Sequence, residues 1–158
     1  MLDPDPIAFV QSGVSISVAA AGPARLPSMS RGLGCKVLDG GRRIAVFVKR
    51  SQSAELLANV RATGRVANVF SLPSDNATLQ LKGDDARIAP FDPADRAIVA
   101  RHTDDFIEQV LPLGMPEALV RAVFAHAPDD LVTVLYTPSD AYLQTPGPHA
   151  GEPLARRR

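Results

Sequence analysis

The sequence predicts an α+β fold built on an antiparallel sheet, and three observations predict it. V-S-I-S-V at 14–18 and I-A-V-F-V at 44–48 alternate with period two. D-G-G at 39–41 is a hairpin signal between a glycine-bearing strand and the second of these stretches. Helical spacing governs the segments between Ala54 and Gly64, between Asp92 and Leu111, and after Met115-Pro116. About six strands joined mostly by tight turns imply a sheet that closes on itself as a barrel, with the helices flanking it.

In chain order, Pro6 to Ser12 reads as a short helix with Ile7 and Val10 buried, ended by Gly13. The first strand follows, with Val14, Ile16 and Val18 inward. S-M-S-R-G-L-G-C-K-V-L at 28–38 is the next strand, and its Gly32 and Gly34 point to a bulge or a close backbone approach. After the hairpin, Ile44, Val46 and Val48 share one face while Ala45, Phe47 and Lys49 take the other. Ser51 or Ser53 caps a helix carrying Ala54, Leu57 and Ala58, which stops at Gly64. R-V-A-N-V-F is a strand, S-L-P-S-D-N a turn, and A-T-L-Q-L-K-G a strand with Leu79 and Leu81 on one face, strand character continuing through Arg87 and Ile88 after a bend at Gly83. Asp92-Pro93 opens a helix with Ile98, Phe106, Ile107 and Val110 as its stripe. The following helix carries Leu119, Val120, Val123 and Phe124, and L-V-T-V-L-Y-T is the last strand. From Thr145 the sequence loses periodicity, so residues 1–144 are expected to form one domain and 145–158 a mobile tail.

Lys plus Arg and Asp plus Glu are balanced at 17 each, which leaves no global field for nucleic acid. One cysteine, Cys35, excludes an intrachain disulfide, and no apolar run is long enough to span a bilayer. The start M-L-D-P-D-P is acidic and proline-broken, and a cytoplasmic protein is expected. There is no H-E-x-x-H, C-x-x-C, G-x-S-x-G or G-x-G-x-x-G, so zinc hydrolysis, serine acyl transfer and Rossmann binding lack their signatures. His102, His126 and His149 are scattered and read as ordinary histidines, and no metal site is expected. Cys35 reads as a packing residue, Asp84-Asp85 as a solvated turn, and Arg156 to Arg158 as a charged tail.

One constellation carries chemistry. Lys49, Arg50, Ser51 and Ser53 flank a helix start, where free N–H groups favour an anion. Counting back from the hairpin sets residues near 35 opposite those near 46 and Lys49 opposite roughly Gly32, which brings Arg31 toward the helix start, with Lys36 further along the same strand. No catalytic acid–base pair is apparent.

P-S-M-S-R-G-L-G-C-K-V, the hairpin, F-V-K-R-S-Q-S, R-A-T-G, R-V-A-N-V-F and L-Q-L-K-G together resemble the pyridoxamine 5'-phosphate oxidase-like family of flavin-binding split β-barrels, over about residues 5 to 90. The resemblance implies an antiparallel split β-barrel, FMN (or a deazaflavin) as cofactor, and a homodimer with the site at the subunit interface. It also implies an oxidoreductase of unknown substrate or, alternatively, a non-catalytic split barrel binding flavin, another anionic ligand, or nothing. R-G-L-G-C-K resembles the family's Arg-x-Val-Leu-Leu-Lys strand, which would put Arg31 and Lys36 on the flavin and its phosphate. The family's aromatic-Thr pair falls at Phe47 and Val48, without the hydroxyl. Its Ser-basic-Lys triplet falls at Ser51 or Ser53, but Ala54 and Glu55 follow Ser53, leaving Lys49 and Arg50 as substitutes. Gln80 is similar to the family's polar strand residue. The R-x-H signature of true pyridoxamine phosphate oxidases is missing, so that specific activity is not expected.

Overall fold

The structure is a computed structural model and describes residues 4–154, so Met1 to Asp3 and the Arg156–Arg158 cluster lie outside the described residues. Eight strands form one sheet: β1 (Ser15–Ala21), β2 (Pro27–Leu38), β3 (Arg43–Lys49), β4 (Val66–Ser71), β5 (Thr78–Gly83), β6 (Arg87–Pro90), β7 (Leu131–Tyr136) and β8 (Asp140–Leu143). Their order is β6-β7-β3-β2-β1-β4-β5-β8, and every pairing is antiparallel. Four α-helices accompany them: α1 (Pro4–Val10), α2 (Ala54–Thr63), α3 (Arg96–Val110) and α4 (Glu117–Phe124).

Two expectations need correction. There are eight strands and not six, and the sheet is not closed, because β6 and β8 are its two unjoined edges. After the bend at Gly83 strand character does continue through Arg87 and Ile88, as a separate strand: the chain crosses to the far end of the sheet, where β6 pairs with β7. Close packing explains the break, since a β-carbon on Gly83 would lie 2.5 Å from the Tyr136 ring and 2.9 Å from the Thr137 carbonyl oxygen. Asp85 fixes the crossing by accepting from the Thr137 amide at 2.8 Å. The other additional strand, β8, has four residues, too short for a periodic signal. Beyond it the chain folds back, with Leu143 N donating to Glu152 O at 2.9 Å and Leu154 N to Ala141 O at 2.9 Å.

The hairpin pairs as counted. Cys35 faces Val46, and Gly32 faces Val48 after a register shift between Gly32 and Gly34. The shift is the bulge that the glycines announced, and Gly32 has no room for a side chain: a β-carbon there would come within 2.6 Å of Ile16 Cγ2.

β3 is buried on both faces. On one side Ile44, Val46 and Val48 join Ile16, Val18, Phe70, Leu81, Val134 and the α2 residues Leu56, Leu57 and Val60 in the barrel interior. On the other, Ala45 and Phe47 join Leu33, Val99, Phe106, Ile107, Val110, Val120 and Phe124 in a layer between the sheet and α3 and α4. Of the apolar residues expected to line α4, only Val120 and Phe124 are buried; Leu119 and Val123 are 51% and 43% exposed. An eight-residue helix lying on a sheet buries a narrow stripe and leaves the adjoining residues outside.

Candidate functional site

β3 delivers the chain at Lys49 to a single 3-10 turn, Arg50–Gln52, from which α2 rises. Asp130, on the approach to β7, pins this turn. Its backbone oxygen accepts from Arg50 N at 2.7 Å, and its carboxylate accepts from Ser51 N at 2.8 Å and Ser51 Oγ at 2.6 Å. Those two bonds from Ser51 hold the Asp130 carboxyl below its usual range.

Ser53 occupies the N-cap position of α2 but does not cap it. Its backbone, at φ −126° and ψ 21°, lies outside the extended region from which a serine oxygen reaches the first-turn amides. The Ser53 hydroxyl is consequently buried without a hydrogen-bond partner, the residue being only 2% exposed. The first-turn amides of α2 likewise receive no side-chain cap. Beside them opens a pocket of about 250 Å³, walled by Ser28, Met29 and Ser30 of β2, by Ser51, Gln52 and Ser53, and by Ala54, Glu55 and Leu56. Ser30 Oγ reaches across to the Gln52 carbonyl at 3.4 Å, while Ser28 Oγ accepts from Asn59 Nδ2 at 2.8 Å.

The expected cations are not in this pocket. Lys49, 7% exposed, donates to the Val123 carbonyl at 2.8 Å, in the last turn of α4, where a helix dipole favours a cation. Arg31 lies 5.7 Å above the Phe124 ring, also on the α4 side. Neighbours on a strand face opposite ways, so Ser28 and Ser30 turn to the α2 start and Arg31 away from it. Lys36 pairs with Asp95 at 2.7 Å, beside the start of α3. Arg50 is exposed on the turn. Phe47 and Val48 are fully buried, one edge-on to Phe91 with ring centroids 5.1 Å apart, the other in the barrel interior. Gln80 sits on β5, separated from β2 by β1 and β4, with its amide oxygen 3.5 Å from Gln144 Nε2. Of the nine residues singled out from sequence, the structure thus brings only Ser51 and Ser53 onto the pocket wall. Ser28, Ser30 and Glu55 join them there; the alternation of P-S-M-S-R carried the signal for the two serines.

Two more polar sites lie in the cores. Asn68 Nδ2 donates to the Tyr136 hydroxyl at 2.8 Å inside the barrel, where burial holds that phenol well above its usual pKa. Burial likewise raises the Cys35 thiol, which keeps it protonated. His102 of α3 is 3% exposed with neither ring nitrogen in hydrogen-bonding geometry, and its pKa is pushed down to about 4, chiefly by burial, opposed by the nearby Ser12 backbone and aided by Arg31. Among the described residues no group of three or more His, Cys, Asp or Glu could hold a metal, and no helix is long and apolar enough to cross a membrane.

No family model matches this chain, and no curated protein sequence does. Solved structures do. HupZ from Group A Streptococcus superposes with a TM-score of 0.58 at 10% identity, over 96% of this chain and 100% of that one. A putative pyridoxamine 5'-phosphate oxidase from Lactobacillus delbrueckii gives 0.54 at 10% identity over 89% and 93%. An F420 reductase gives 0.53 at 17% identity over 85% and 93%. The chain therefore has the split-barrel fold shared by these proteins, in agreement with the resemblance read from residues 5 to 90.

Proposed function

We propose that this chain is a flavin-binding split barrel of the pyridoxamine 5'-phosphate oxidase-like kind, with the cofactor's phosphate at the start of α2. The observation that carries the reading is the uncapped helix start with the unpartnered, buried Ser53 hydroxyl on the wall of a pocket. Uncapped amides and a buried lone hydroxyl are costly unless something meets them. A phosphoryl group would accept from both. At about 250 Å³ the pocket suits a phosphoryl group and the adjoining polyol, and is smaller than the usual site for a whole cofactor. The ring would lie outside it, and a second copy of the chain in a homodimer would supply the missing wall. When bound, the flavin supplies the electron chemistry of an oxidoreductase; FMN and a deazaflavin both fit this description. The first-turn amides and Ser53 would hold the phosphate, Ser30 would join them by giving up its bond to the Gln52 carbonyl, and the Asp130 bonds to Ser51 would keep the turn in place.

The second reading, a split barrel that carries out no redox reaction, draws support from Lys49 and Lys36, which are both committed to protein acceptors. Titration with FMN and riboflavin tests the site. At about pH 5, where the phosphate carries a single charge, FMN should bind about tenfold or more tightly than riboflavin, a difference that one good charge-assisted contact provides. Equal affinities would remove the phosphate from the pocket. Bound flavin that no nicotinamide reductant reduces would favour the second reading.

A further inference from the structure

We propose that the pocket at the start of α2 selects a singly charged phosphoryl group, either a phosphodiester or a phosphomonoester that keeps one proton, over a phosphomonoester dianion. This rests on the flavin reading above and concerns the charge that the same site accepts.

The donors on the wall are neutral. They are the first-turn amides and, buried behind them, the Ser53 hydroxyl; the Ser51 hydroxyl is already spent on Asp130 and the Ser30 hydroxyl on the Gln52 carbonyl. The fixed charges near the pocket are negative, with Glu55 on its wall and Asp130 behind Ser51. Among the described residues, no lysine or arginine lines the pocket. Lys49 is bonded to Val123 O, Arg31 lies over Phe124 on the other face of β2, and Arg50 is exposed on the turn without lining the pocket. His126, the remaining titratable neighbour of Asp130, has Nδ1 3.0 Å from the Phe124 carbonyl. A helix start contributes the equivalent of roughly half a positive charge. That is nearer to what a monoanion needs than to what a dianion needs, and Glu55 adds repulsion with each negative charge on the ligand. The Ser53 hydroxyl, which can donate or accept, suits an oxygen that keeps its proton as well as one that does not.

The ligand's own ionisation makes the idea testable, because a phosphomonoester loses its second proton near a pKa of about 6. The intact chain would be titrated with FMN, riboflavin and riboflavin 4',5'-cyclic phosphate, a permanent monoanion, between about pH 8 and about pH 5. Unfolding would be followed at each pH. FMN affinity should rise about tenfold or more as pH falls through that range, while riboflavin and the cyclic phosphate stay level. At the alkaline end the cyclic phosphate should bind more tightly than FMN. Glu55→Gln should tighten FMN several-fold there without changing riboflavin. FMN affinity that rises with pH, or an unchanged Glu55→Gln variant, overturns the charge selection and leaves the flavin reading standing. Failure of all three flavins to bind defeats the flavin reading, and the selection with it.

Discussion

The two apolar layers that share β3 are built differently. The barrel interior is mostly aliphatic; Asn68 donates to Tyr136 while its own amide oxygen is unpartnered, and both Tyr136 and Cys35 are held in their neutral forms. The outer layer is aromatic, with Phe106 stacked on Phe124 at 5.3 Å, and it keeps its charges at the border. Arg31 lies over Phe124, Lys49 reaches the end of α4, and His102 sits inside without a partner. The difference teaches that the inner layer is scaffold, insensitive to pH over the ordinary range, while of the two layers the outer one holds the group, His102, that responds to mild acid.

The largest expected effect comes from breaking the outer layer where it meets the sheet. Phe47→Ala empties a fully buried site against Phe91 and should cost about 3–5 kcal/mol, read as a lowered denaturant midpoint. A loss below about 1 kcal/mol would mean that α3 collapses onto β3 and that the two layers are not separately packed.

His102 sharpens the comparison next. Its pKa falls from 6.5 to about 4 on folding, so below the higher value the unfolded chain takes up a proton that the folded chain refuses. The stability this withholds is fully present above 6.5 and is lost as pH falls toward 4, on the order of 3 kcal/mol in all. His102→Leu should flatten that slope and leave the fold more stable at the acid end. An acid transition unchanged by this substitution would move the sensitivity to another group and undo the contrast.

The smallest effect is the one that separates site from scaffold. A true N-cap serine costs about 1 kcal/mol when replaced by alanine. Ser53 caps nothing, so Ser53→Ala should change stability by less than about 0.5 kcal/mol, and removing its unpartnered hydroxyl can even stabilise. FMN affinity should fall in the same variant. A full capping loss with unchanged FMN affinity would return Ser53 to a purely structural role.

What the sequence determined by itself is whatever depends on near neighbours. The alternation of Ile44, Val46 and Val48, the D-G-G hairpin with Cys35 opposite Val46, the glycine bulge, the helix ending at Gly64 and the Asp92 cap all appear where local pattern placed them. Local pattern also placed a helix start after a basic turn. What it could not reveal was where the basic side chains would go. Lys49 finds its acceptor on Val123, 74 residues further on, and Lys36 finds Asp95, 59 residues on. The pinning of Ser51 by Asp130, the crossing from β5 to β6 and the two unjoined sheet edges are likewise decided by contacts between distant segments. Backbone periodicity is a property of a few consecutive residues. The choice among carbonyl, carboxylate and ring as partner for a long flexible cation is made only once packing has brought those acceptors within reach, and here it left the pocket at the start of α2 to hydroxyls and amides.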